Sequence, residues 1–184
     1  MSRFAADVRA YHQYAAEFDT PIRCELLYGD PLVAVARIAS RYKIARYFPK
    51  RCDLDQGLPR YGPVATAIQK YPADGSKDPV MAVVALTRDL TEHYQTDLLT
   101  AASKFLSFAW GRDVFVYDPH ALKALQTRFP TLKPRDYQGF CSAWVAAFNE
   151  CADEISAECT RQNVSAERWF TERVFDWHLW RSGW

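Results

Sequence analysis

Three Asp-Pro pairs, Asp30-Pro31, Asp78-Pro79 and Asp118-Pro119, constrain this chain more than any other feature. An aspartate at the N-cap accepts hydrogen bonds from first-turn amides. Proline, with its fixed φ and no amide to lose, suits the first helical position. Each pair therefore reads as a helix start. Behind the first, Leu32, Val35, Ile38, Ala39 and Tyr42 recur at helical spacing and predict a helix from residue 31 to about Tyr47. Behind the second, Val80, Val83, Val84, Leu86 and Leu90 predict a helix to Tyr94. The run Val80–Leu86 alone also fits a buried strand, but the pattern carries on past it and favours helix. The third pair opens a helix that ends near Phe129-Pro130. The expected class is all-α.

The remaining segments fit that class. Residues 2–19 carry Phe4, Val8, Tyr11, Ala15 and Phe18 on one face and predict an amphipathic helix that stops before Pro21. A linker, Thr20–Gly29, leads to the first Asp-Pro pair. Pro49, Gly57, Pro59, Gly62 and Pro63 make residues 49–63 a long loop, a candidate functional loop and hinge between two lobes. A short helix is expected over 64–71. One long helical stretch is expected from Pro134 to about Gln162, with Tyr137, Phe140, Trp144, Ala147, Phe148 and Cys151 at helix spacing. Ser165 is the expected N-cap of the last helix. Residues 1–184 are read as a single, two-lobed helical domain.

With 184 residues, 49% of them hydrophobic and 15% aromatic, the chain can bury a substantial core. No apolar run reaches membrane-spanning length and the polar N-terminus lacks a signal-peptide pattern. These features read as a cytoplasmic monomer with no membrane partner. The five cysteines, Cys24, Cys52, Cys141, Cys151 and Cys159, are odd in number, widely spread and without a Cys-x-x-Cys pair, which argues against a disulfide framework. The four histidines are equally scattered, so neither a metal nor a cofactor is expected.

A net charge of +1 is weak support for a nucleic-acid partner, but the charge is uneven. Arg37, Arg41, Lys43, Arg46, Lys50, Arg51 and Arg60 outnumber Asp53 and Asp55 between residues 37 and 60, with Tyr42, Tyr47, Phe48 and Tyr61 interleaved. Arg41, Lys43, Arg46, Lys50 and Arg51 are the candidate phosphate contacts. A solvated helix face followed by a polar loop accounts for the same residues.

The stretch Thr100–His120 holds the most chemistry. Leu98, Ala102, Phe105 and Ala109 form one apolar stripe, while Thr100, Ser103, Lys104 and Ser107 fall together on the far side. Lys104 is the only charge on this helix. Its small hydroxyl neighbours, Ser103 foremost, would let a sugar or phosphate come close. Gly111 then ends the helix, and the apolar run Val114–Tyr117 leads into Asp118-Pro119.

Ala102-Ser103-Lys104 followed by an apolar helix, then Val116-Tyr117-Asp118 opening the next, resembles the catalytic segment of helix-hairpin-helix DNA glycosylases, in particular 8-oxoguanine glycosylase-like proteins. The segment Glu172–Trp180 is similar to their closing helix. The chain departs from the family in having no glycine in Thr96–Ala102 and a short lysine-to-aspartate interval. The resemblance implies a partner, double-stranded DNA with a damaged or modified base, and a reaction, cleavage of the N-glycosidic bond. It implies Lys104 as nucleophile, through a Schiff base that allows a following lyase step, and Asp118 as the carboxylate beside the developing sugar cation. A flipped base needs an aromatic pocket, for which Tyr117, Trp177 and Trp180 are candidates. Two other readings stay open: a non-catalytic DNA-binding module on such a scaffold, with Lys104 a phosphate contact and Asp118 only a cap, and a small helical defence or regulatory protein.

Overall fold

The computed structural model describes residues 2–48, 60–71, 78–111 and 113–183, and every regular element among them is helical. In chain order the α-helices are α1 (Ala5–Tyr14), α2 (Thr20–Tyr28), α3 (Pro31–Arg41), α4 (Gly62–Gln69), α5 (Pro79–Tyr94), α6 (Leu99–Trp110), α7 (Pro119–Gln126), α8 (Tyr137–Asn149), α9 (Ala152–Arg161) and α10 (Arg168–Ser182). None is long and apolar enough to cross a membrane. The elements form two units, Met1–Phe18 with Phe115–Trp184, and Asp19–Val114. The chain crosses between them at 18/19 and 114/115, so the expected hinge at 49–63 is not where the units divide. Residues 49–59 of that expected loop lie outside the described residues.

The three Asp-Pro pairs do what their chemistry dictates. Asp30 accepts from the Leu32 amide at 2.8 Å, Asp78 from Met81 at 2.9 Å and Asp118 from His120 at 2.9 Å, at the starts of α3, α5 and α7. The strand alternative for Val80–Leu86 is not adopted.

Gly62 and Pro63, expected in the loop, open α4 instead, and four further boundaries differ from the sequence reading. Thr20–Gly29 is no linker: Thr20–Tyr28 is helical, joined to α1 by a π turn over Ala15–Asp19. Pro21 has no amide for an α ladder, and the wider π turn just before it lets the helix pass. Next, α3 stops at Arg41 rather than near Tyr47, because Lys43 takes φ 55° and the Ile44 amide reaches back to the Ala39 carbonyl at 3.0 Å, closing a Schellman-type cap. The expected 134–162 helix is two, broken at Glu150–Cys151. The break lets Trp144 and Phe148 on α8, and Ile155 and Cys159 on α9, all be buried. Lastly, α10 begins at Arg168; Ser165 accepts from the Glu167 amide at 3.3 Å but lies two residues before the N-cap position, Glu167.

In the Asp19–Val114 unit, α6 packs against α2, α3, α4 and α5. Phe48 and Phe105 anchor its core, with Phe48 edge-on to Tyr94 at 4.9 Å. In the other unit α10 packs against α1, α7 and α9. Trp144 is fully buried there, stacked on Phe115 at 4.0 Å and edge-on to Phe175 at 5.0 Å. The Val114–Tyr117 run has no regular secondary structure; the Tyr137 hydroxyl donates to the Phe115 carbonyl at 2.8 Å and the Tyr117 hydroxyl accepts from the Arg135 amide at 2.8 Å.

Candidate functional site

Helix α6 is built largely from residues that are buried. Asp97 supports its start, accepting from the Leu99 amide at 3.1 Å, and Gly111 ends it at φ 71°, with its amide bonded to the Ser107 carbonyl at 2.9 Å. A Cβ at position 111 would displace the Arg23 guanidinium, the mobile end of a long side chain, so the positive φ is what favours glycine there.

The sequence placed an apolar stripe on one side of this helix and an accessible polar sector on the other. The structure buries both: of Leu99–Trp110, only Thr100 and Ala109 are not buried. Ser103 has no exposed surface and its hydroxyl donates to the Thr100 carbonyl at 3.2 Å, while Ser107 donates to the Lys104 carbonyl at 2.9 Å. Lys104 is 5% exposed.

The surroundings of Lys104 within its unit are specific. Its Nζ lies 5.6 Å from the centre of the Tyr42 ring, over the face. The Tyr42 hydroxyl donates to Asp19 Oδ1 at 2.7 Å, and Asp19 is fully buried. Phe108, one turn beyond Lys104 on α6, meets the Tyr42 ring edge-on at 5.4 Å. Three elements thus supply one array: the end of the π turn, the C-cap of α3, and α6. Sequence reasoning missed Asp19 entirely and saw Tyr42 as an apolar-face residue of the first Asp-Pro helix and as an aromatic among basic residues.

Asp118 belongs to the other unit, where it caps α7 with its carboxylate partly exposed. Tyr117 is buried, its ring edge-on to Phe140 at 5.1 Å. Trp177 and Trp180 are 5.9 Å apart on α10, and Trp177 also meets Tyr14 at 5.0 Å and Tyr11 at 6.1 Å. The Trp177 indole N–H is buried without a hydrogen-bond partner, and Trp180 is 37% exposed. Of the expected phosphate contacts, Arg41, Lys43 and Arg46 are exposed around the end of α3, while Lys50 and Arg51 lie outside the described residues. Arg46 also lies over the Tyr47 ring at 5.0 Å.

Two further features belong to the Met1–Phe18 and Phe115–Trp184 unit. A pocket of about 290 Å³ is lined by Phe4, Leu125, Phe175, His178 and Cys151, with Arg3 and Arg128 at its rim; no expected site residue lines it. Burial pushes the Cys151 thiol up to about 11, which makes it a poor nucleophile. The second is the carboxylate of Asp176, which accepts from the Trp144 indole at 2.8 Å and from Arg173 at 3.3 Å. Among the described residues, no group of three or more His, Cys, Asp or Glu is placed to hold a metal ion.

Asp176 has a consequence for stability. Burial pushes its carboxyl up to about 7, against the pull of the Arg173 guanidinium and the Trp144 N–H. An unfolded aspartate titrates near 4, so the folded chain holds this proton more tightly. The stabilisation is therefore complete below about pH 4 and lost as pH rises to about 7, a fall on the order of a few kcal/mol. Urea unfolding of the native protein and Asp176→Asn, compared from pH 4 to 8, is expected to show this loss only in the native protein. Parallel profiles would place the proton elsewhere.

Comparison of the chain with known protein families, with curated proteins and with solved structures finds no match.

Proposed function

We propose that the protein is a DNA glycosylase that flips a damaged or modified base out of double-stranded DNA and breaks its N-glycosidic bond. The observation that supports this reading is Lys104: an amine 5% exposed on a helix with no other charge, facing an aromatic ring. Burying an ammonium is costly, and a fold that keeps one in place of a leucine or methionine has a use for it. The resemblance of the Ala102–Asp118 stretch to glycosylases supplies that use.

In this reading the deprotonated Lys104 amine attacks C1′. The C1′–N bond breaks, and its electron pair leaves with the base, which takes up a proton. The C1′–O4′ bond then breaks as one of the two protons on Nζ passes to O4′, which opens the sugar ring and leaves a protonated Schiff base between C1′ and Nζ. Loss of a C2′ proton then expels the 3′ phosphate. The resemblance assigns to Asp118 the negative charge that stabilises the sugar cation, and the need for an aromatic pocket makes Trp177 and Trp180 the candidate ring faces for the flipped base. Duplexes carrying different modified bases are to be screened for abasic-site formation, with borohydride present to reduce the Schiff base. A covalent complex that Lys104→Ala no longer forms is expected; failure to excise any base and to trap an abasic duplex would overturn the reading.

The phosphate footprint is tested separately. Each neutralised phosphate contributes about 0.9 to the slope of log affinity against log salt. Replacing Arg41 and Lys43 together by Ala is expected to lower that slope by about 2 and to weaken binding to all sequences alike. An unchanged slope would place the footprint elsewhere.

A further inference from the structure

We propose that Tyr42, oriented by Asp19, is a positioning residue for the Lys104 amine; the proposal rests on the reading of Lys104 as the reactive group. Lys104 sits on a helix with no other charge, and its long side chain has several rotatable bonds, so burial alone does not fix where Nζ lies. The Tyr42 ring supplies a fixed surface. Its face carries negative electrostatic potential and lies 5.6 Å below the ammonium.

The ring is held through its hydroxyl and along its edge. Its hydroxyl donates to the fully buried Asp19 at 2.7 Å, and its edge meets Phe108 at 5.4 Å. A buried carboxylate that accepts from a phenol makes a short, charge-assisted bond, which restricts rotation of the ring. Asp19 therefore acts on the lysine through the tyrosine. Because Asp19 ends the π turn, Tyr42 caps α3 and Lys104 is central in α6, the array also ties the amine's position to the packing of three elements of one unit. Its role is to present the amine in one direction.

Two readouts test this on the full chain. The first needs no DNA: in protein carrying 13Cε-lysine, the ring current of Tyr42 sets the Lys104 ε-proton shift apart from those of the exposed Lys123 and Lys133. Tyr42→Leu is expected to bring it to the exposed-lysine position. Tyr42→Phe keeps the ring but frees it from Asp19, and is expected to retain part of the shift. Asp19→Asn, which can still accept from the hydroxyl, is expected to retain nearly all of it. The second readout is the single-turnover rate of borohydride-trapped adduct with an abasic duplex, expected to fall about tenfold in Tyr42→Leu at unchanged DNA affinity, because the amine is no longer held in one direction. It is expected to fall less in Tyr42→Phe and to stay near native in Asp19→Asn.

A Lys104 shift that Tyr42→Leu leaves unchanged would overturn the proposal, as would a lost shift with an unchanged adduct rate. If the native protein forms no adduct, the enzymatic reading fails, and a shift lost in Tyr42→Leu still supports the placement of the amine by Tyr42. Tyr42→Phe removes one hydroxyl only, so a folded variant remains available if Asp19 substitutions do not fold.

Discussion

Asp118→Asn is expected to lower base excision by about two to three orders of magnitude, the effect of removing one preorganised charge from a developing cation, while leaving DNA affinity nearly unchanged. The argument turns on the two jobs a carboxylate can do at this position. As a cap, Asp118 accepts from the His120 amide at 2.9 Å and sits in extended backbone at φ −134° and ψ 139°. Asparagine has the same oxygen and ranks equally as an N-cap, so the hydrogen bond survives. The negative charge at the positive end of α7 is lost, at a cost of about 0.3–1 kcal/mol. That loss is too small to unfold a domain of ordinary stability. What remains is the electrostatic effect on the reaction, read as the single-turnover excision rate beside a binding curve and a circular dichroism spectrum. Full activity of Asp118→Asn on a confirmed substrate would make the aspartate a cap and nothing more.

The helices that were legible from the sequence are those whose ends are set by local chemistry. At Asp30, Asp78 and Asp118 a side chain bonds an amide two or three residues away, so nothing distant is needed to place the boundary. Gly111 is of the same kind, a positive-φ residue closing α6. The boundaries that were not legible depend on partners elsewhere. Pro21 reads locally as a stop, and only the π turn before it shows how the helix continues into α2. No glycine or proline marks the break at Glu150–Cys151. Lys43 takes a left-handed backbone that its residue type does not favour.

The candidate site divides in the same way. Lys104 stood out as the sole charge on its helix, but helical periodicity gave its sector as accessible when it is buried. Periodicity says which residues share a face, not what covers that face. Asp19 could not be found from the sequence, since its bond to Tyr42 joins residues that are neighbours only once the helices of its unit are packed.

Trp144→Ala is expected to be the most destabilising single change in the unit formed by Met1–Phe18 and Phe115–Trp184. The side chain is fully buried, stacked on Phe115 at 4.0 Å and Phe148 at 5.1 Å and edge-on to Phe175 at 5.0 Å. Removing a buried tryptophan costs about 3–5 kcal/mol through lost transfer energy and the cavity left behind. That is a large share of the roughly 5–15 kcal/mol that holds a domain folded. The indole N–H adds a second effect, because it donates to Asp176 at 2.8 Å and is one of the groups that hold the Asp176 carboxyl down against burial. Trp144→Phe separates the two. It keeps an aromatic ring in the stack and removes the donor, so Asp176 is expected to be pushed further up and to lose more stability when forced to ionise. The phenylalanine variant is therefore expected to lie closer to the native protein at pH 5, where Asp176 is protonated, than at pH 8, where it must ionise or hold its proton at a cost. The alanine variant is expected to be severely destabilised at both. Urea midpoints at the two pH values measure this directly; a Trp144→Phe deficit that is the same at pH 5 and pH 8 would show that the indole hydrogen bond does not govern the Asp176 proton.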